Sequence, residues 1–168
     1  MKILYKKICI VGPAGAGKST IASEISRRTG LPHIEVDKIV WTIADGIYLR
    51  NDRDKVLSEI KFQSLKNEWI VEGSYEATID SCMKEADIII YLAPNILIRI
   101  QRLFRRYFTN KFGTAPKTET FMNTLDLIRY TFVYPFRLRK KFQSSPDLLV
   151  KIKRCRNAKN LFKVLCNQ

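Results

Sequence analysis

The stretch GPAGAGKST, Gly12 to Thr20, places three glycines, a lysine and two hydroxyl side chains within nine residues. Its spacing satisfies G-x-x-x-x-G-K-[ST], with Gly12, Gly17, Lys18 and Ser19 in the four defined places. The chemistry this implies is polyphosphate binding. Glycines allow successive backbone N–H groups to turn inward as a nest for phosphate oxygens, and a helix beginning near Lys18 adds its positive dipole end. Pro13, Ala14, Gly15, Ala16 and Thr20 complete the loop. Lys18 would reach the β- and γ-phosphates of ATP, and the Ser19 hydroxyl would serve Mg²⁺. Lys18 is expected to contribute charge to a transition state and little to the core.

Acidic residues follow at the ends of apolar runs. Glu35 and Asp37, spaced i, i+2 at the end of an expected second strand, would share a face and hold a Mg²⁺ water shell, bind substrate or accept a proton from an attacking hydroxyl. Glu72 closes a third strand in apolar-apolar-acid order, the Walker-B arrangement that holds Mg²⁺ through water. Gly73 after it permits close approach of backbone to a ligand. Asp87 begins a fourth strand, at the opposite sheet edge, and reads as surface. Arg99, Arg102 and Arg106 recur at i, i+3 and i+7 with Arg105 alongside, while Ile96, Ile100, Leu103 and Phe104 form the other helix face. Guanidinium groups clamp tetrahedral anions well, so Arg102 and Arg106 join Lys18 and Asp37 as catalytic candidates. His33 reads as structural. Trp41, Tyr48, Tyr75 and Tyr107 could stack on a ring, but core packing is the expected fate of each.

These residues need a scaffold. Ile8–Val11, 33–36, Trp69–Val71, Ile88–Leu92 and Leu148–Ile152 read as strands, and the segments after Lys18, 52–66, 95–108, 120–141 and 157–165 as helices, the fourth bent near Pro135. Residues 38–51 read as a polar stretch and 109–118, with Gly113 and Pro116, as a loop. Alternating strands and helices call for an α/β fold: a five-stranded parallel sheet with helices on both faces, in three layers. Ligands of such sheets sit beyond the carboxyl ends of the strands, where the loop and the acids fall.

At 168 residues and 46% apolar composition, the chain, 1–168, reads as one domain. Its +14 net charge is uneven: residues 1–98 carry 13 Lys/Arg against 13 Asp/Glu, residues 99–168 carry 17 against 3. Such an excess implies an anionic partner, either the polyphosphate itself or nucleic acid gripped by Lys140, Lys141, Lys151 and Lys153. Cys9, Cys82, Cys155 and Cys166 lack zinc or disulfide spacing, so reduced thiols in a cytoplasmic protein are expected. No apolar run reaches the length of a signal-peptide core or a membrane span.

The ordered segments GPAGAGKST, HIEVDKIVW, EWIVEGSY, ADIIIYLAPNILIRIQRLFRR and YTFVYPFRLRKKF resemble the adenylate-kinase-like P-loop proteins known as DNA topology modulation proteins. The resemblance runs over nearly the whole chain. It implies a nucleoside-monophosphate-kinase type of sheet, an insertion around 38–67 like the monophosphate site, a lid around 108–120, Asp37 at the Mg²⁺ or phosphoryl acceptor, and lid arginines at Arg102 and Arg106. Glu72 replaces an expected Asp, Glu35 an expected His, and Gly73-Ser74-Tyr75 the Gly-Phe-Pro-Arg segment of adenylate kinases. The implied activity is transfer of the γ-phosphoryl group of ATP to a small molecule or nucleotide. The alternative is a nucleotide-dependent DNA-binding protein.

Overall fold

Alternate residues of the first strand, β1 (Lys7–Val11), point into two separate apolar clusters, which is the physical signature of a sheet covered on both faces. Cys9 and Val11 join Val71 and Ile89 on one face; Ile8 and Ile10 join Ile70, Ile88 and Ile90 on the other. The computed structural model describes residues 3–44, 47–74, 77–112 and 121–166. Helix α1 (Lys18–Thr29) follows β1, then strand β2 (His33–Glu35), helix α2 (Val36–Val40) and the antiparallel pair β3 (Trp41–Ala44) and β4 (Ile47–Arg50). Helix α3 (Arg53–Ser64), strand β5 (Trp69–Gly73), helix α4 (Asp80–Glu85) and strand β6 (Ile88–Leu92) come next. The chain then forms α5 (Ile96–Phe112), α6 (Phe121–Gln143), α7 (Pro146–Lys151), β7 (Ile152–Cys155) and α8 (Ala158–Leu165).

The main sheet has five parallel strands in the order β2-β5-β1-β6-β7. In this order β1, which delivers the glycine-rich loop, lies beside β5, which ends at Glu72 and Gly73, and β5 lies beside β2, which ends at Glu35. The loop and both acidic strand ends therefore share one sheet edge. Among the described residues no helix is long and apolar enough to cross a membrane.

Three expectations about the elements are corrected. The fifth strand is β7, three to four residues later than expected, because Pro146 and Asp147 suit the first turn of a helix and Leu148 is buried as part of α7. The segment read as polar contains the β3–β4 pair, whose Trp41, Ile43, Tyr48 and Leu49 are exposed and so gave no buried-strand pattern. Asn51 anchors its base, its Nδ2 donating to the Ile39 carbonyl and its Oδ1 accepting from Thr42 Oγ1. Helix α5 continues to Phe112, through the start of the expected lid, of which 113–120 lie outside the described residues.

Helix α6 runs through Pro135 as one element. Proline has no N–H to give the Thr131 carbonyl four residues back, and Arg99 of α5 donates to that carbonyl at 3.4 Å. Arg99 is buried and ties α5 to α6.

Candidate active site

The loop from Gly12 to Ser19 is shaped by two left-handed residues, Gly15 at φ 71° and Gly17 at φ 90°. A Cβ on Gly15 would lie 2.7 Å from the Arg99 carbonyl oxygen, so the loop packs directly on the backbone of α5. A Cβ on Gly17 would come within 3.0 Å of the Arg102 guanidinium. Arg102 donates to the carbonyls of Gly15 at 3.3 Å and Ala16 at 3.1 Å and so braces the loop. Helix α1 starts at Lys18, so its first N–H groups have no partner within the helix.

Lys18 is buried, its ammonium donating to the Pro13 carbonyl at 3.3 Å. Burial lowers its pKa, Glu72 and Asp37 oppose that shift, and Arg106 adds to it. Glu72 is buried too; burial raises its pKa, while the Lys18 charge and a hydrogen bond from Ser19 pull it down and Asp37 and Glu35 push it up. Ser19 Oγ donates to Glu72 Oε1 at 2.7 Å. Lys18 is thus tied to the loop backbone and acts on Glu72 and Asp37 through its charge.

These groups line one cavity of about 320 Å³. Ala14, Gly15, Gly17, Lys18, Ser19 and Thr20 form its floor; Asp37, Glu72, Arg102 and Arg106 surround it, closed by Ser74, Leu103 and Leu127. Two acids, three cations and a row of helix-terminal N–H groups thus face one space. The donor set suits Mg²⁺, which takes one or two carboxylates and keeps several waters: Ser19 and Glu72 touch each other at the cavity wall, and no cluster of three or more metal-binding side chains occurs among the described residues.

Two of the expected site residues do something else. Asp37 lies in the first turn of α2, not on a strand, so the i, i+2 argument that coupled it to Glu35 fails. Glu35 is not among the cavity's lining residues; it pairs with Lys38 at 2.7 Å and acts on Glu72 only through charge. Gly73 makes room for a side chain, not a ligand: a Cβ there would stand 3.0 Å from Val36 Cβ. Asp87 is on the surface, where Oδ2 accepts the N–H groups of Lys6 and Lys7 at 2.8 Å each. His33 sits on β2 with its Nδ1 3.4 Å from Ser23 Oγ.

Trp41 is exposed, edge-on to Tyr48 with ring centroids 6.4 Å apart, and not in the core. Tyr48 is exposed as well, Tyr107 packs edge-on to Phe108 at 5.5 Å, and Tyr75 lies outside the described residues. Sequence reasoning assigned no role in the cavity to Ser74 or Leu127, which line it. For Ser74 the one available signal was its place just past a strand end.

Superposition on solved structures decides the architecture. The chain matches shikimate kinase from Acinetobacter baumannii, solved in complex with shikimate, with a TM-score of 0.55 over 97% of this chain and 94% of that one, at 13% identity. It has the P-loop NTPase fold. No family model matches the sequence. A stretch of 108 residues is 28% identical to an uncharacterized protein, YqaC, of Bacillus subtilis (strain 168), covering 62% of this chain and 58% of that protein. The chain thus spans less than two thirds of the length of that curated relative.

Proposed function

We propose that the chain is a P-loop phosphotransferase that moves the γ-phosphoryl group of ATP to a small-molecule or nucleotide acceptor. The observation that carries this reading is Asp37, an acid outside the phosphate loop that enters the same cavity as Lys18, Ser19, Arg102 and Arg106. A protein that only bound nucleotide would need the loop but not an acid across the cavity from it. The loop N–H groups and Lys18 hold the β- and γ-phosphates, and Asp37 orients the acceptor hydroxyl and takes its proton. Arg102 and Arg106 neutralise charge on the transferring group. Mg²⁺, when bound through Ser19 and, by way of water, Glu72, supplies charge neutralisation between the phosphates.

The likeness to shikimate kinase supports the fold on which this chemistry is arranged; the likeness to DNA topology modulation proteins rests on the ordered segments given above. Three buried thiols and an exposed one, all free, suit a reducing cytoplasm. The test is Asp37→Asn. Turnover falls by orders of magnitude while the ATP dissociation constant stays within a few-fold, because the acid faces the acceptor. Loss of ATP affinity with unchanged turnover of bound substrate would overturn the assignment.

A second reading, nucleotide-dependent nucleic-acid binding, is favoured by one observation: Arg129, Arg137, Arg139 and Lys140 of α6 and Lys153 and Arg154 of β7 are all exposed. Salt separates the readings. Binding through many backbone phosphates weakens by orders of magnitude between about 50 and 200 mM salt, whereas affinity for ATP at a nest of N–H groups changes far less.

A further inference from the structure

Helix α6 turns one face into the core and the other to solvent. Thr124, Thr131, Tyr134, Leu138 and Phe142 are buried at helical spacing and mark the inward face. Opposite them stand Phe132, Val133 and Phe136, which are 52%, 45% and 76% exposed. They are i, i+3 and i, i+4 neighbours, so they form one contiguous apolar group rather than scattered exposed side chains. Cations surround it. Arg129 lies one turn before the group and Lys140 one turn after it on the same stripe, Arg137 and Arg139 fall on its two flanks, and all four are exposed. The one acid of α6 is Asp126, 3.6 Å from Arg129. Arg137 leans on the Tyr130 ring with its charge intact, 5.7 Å from the centroid, and Arg139 and Lys140 make no ion pair with the described residues.

We propose that the outward stripe of α6 docks the protein on an anionic lipid surface, lying in the headgroup layer without crossing it. The partner must offer negative charge and an apolar interior side by side, and an anionic bilayer does both. Phe132, Val133 and Phe136 enter the boundary between headgroups and acyl chains, while the longer side chains of Arg137, Arg139 and Lys140 keep their charges at the level of the lipid phosphates. A second copy of this chain fits poorly, because a two-fold contact would set this basic stripe against itself. Duplex DNA would take the cations but offers the outside of α6 no apolar seat for Val133 and Phe136. The phosphate loop and its cavity play no part in the contact, so the proposal stands apart from the phosphotransferase reading.

The test is flotation of the full chain with vesicles of phosphatidylglycerol and phosphatidylcholine in equal parts, and with vesicles of phosphatidylcholine alone, in about 50 mM salt, where charges act over a long range. The expected result is binding to the first and not to the second. Partitioning falls about five-fold for each of Arg139→Gln and Lys140→Gln and tenfold or more for Phe136→Ser, while urea midpoints, which these exposed positions leave near wild type, report that each variant is folded. Depth is read from Phe136→Trp in a Trp41→Phe background, since Trp69 is completely buried and contributes a constant signal. Its emission shifts to the blue on the anionic vesicles. No binding to anionic vesicles overturns the proposal, as does binding that Phe136→Ser leaves unchanged, which is plain adsorption of a basic protein. A single-stranded thymidine oligonucleotide that binds more tightly than the vesicles, with the same dependence on Phe136, assigns the stripe to nucleic acid and overturns the membrane.

Discussion

Replacing Lys18 by Met keeps an apolar stem of similar length and removes only the charge, which makes it the sharpest test of the electrostatic coupling between Lys18 and Glu72. Glu72 then stays buried with the Ser19 hydroxyl for company and with Asp37 and Glu35 still repelling it. Leaving a buried carboxylate without its compensating charge costs about 1–3 kcal/mol. For a chain of this length that corresponds to a fall in Tm of roughly 2–12 °C, at about 2–4 °C per kcal/mol.

The loss depends on pH in a defined direction. Burial already holds Glu72 above the usual carboxyl value, and Lys18 pulls it back; without Lys18 it rises further. A carboxyl with a higher pKa folded than unfolded takes up a proton on folding, so stability increases as pH falls through the raised pKa. It levels off below the unfolded value. Between the variant's folded pKa and the lower one of wild type, the Lys18→Met deficit shrinks by up to about 1.4 kcal/mol per pH unit as pH falls. Adding Glu72→Gln removes both the stranded charge and its pH dependence, so the double variant is more stable at pH 8 than Lys18→Met alone. Urea midpoints of the four proteins at pH 6 and pH 8 give the coupling energy directly. A Lys18→Met protein as stable as wild type at pH 8, or a deficit that neither acid nor Glu72→Gln relieves, would refute the coupling.

Arg102→Ala and Arg106→Ala should each lower kcat by orders of magnitude if they neutralise the transferring group; single-turnover rates at saturating ATP check this, and Arg102→Ala should also weaken ATP binding because its hydrogen bonds hold the loop carbonyls of Gly15 and Ala16. Lys141 pairs with Asp80 at 2.6 Å and Lys151 donates to the Lys84 carbonyl at 2.7 Å, so their alanine variants should lose about 1 kcal/mol of stability by urea titration and leave phosphoryl transfer within a few-fold. If instead charge removal at Lys140 and Lys153, both exposed, weakens DNA binding and flattens its salt slope by about one each, the nucleic-acid reading gains. Gly15→Ala combines a left-handed backbone with a contact of 2.7 Å to helix backbone that cannot give way. It should destabilise by about 2–5 kcal/mol and abolish ATP binding, and a calorimetric titration showing intact affinity would contradict the packing of the loop on α5.

The phosphate loop, the central strands and the parallel sheet were legible in the sequence because each is written in neighbouring residues. The loop's spacing sets its own backbone, and the runs around Ile8–Val11 and Ile88–Leu92 are apolar enough to be buried on both faces whatever surrounds them. Glu72 could be placed as well, since an acid at the end of a buried parallel strand has only one edge to occupy. What separates Asp37 from Glu35, or Arg102 from Arg99, is not local. Asp37 and Glu35 are two residues apart, and only the turn of α2 sends one to the cavity and leaves the other with Lys38. Arg99 and Arg102 share a helix and a charge, but α6 packs over Arg99, and Pro135 leaves it the Thr131 carbonyl to hold. Ser74 and Leu127 come to the cavity from the end of β5 and from α6, far apart in the chain. Repeat patterns record which face of an element is apolar; which polar side chains converge on one space depends on how distant elements cross, and that is decided only when the whole core packs.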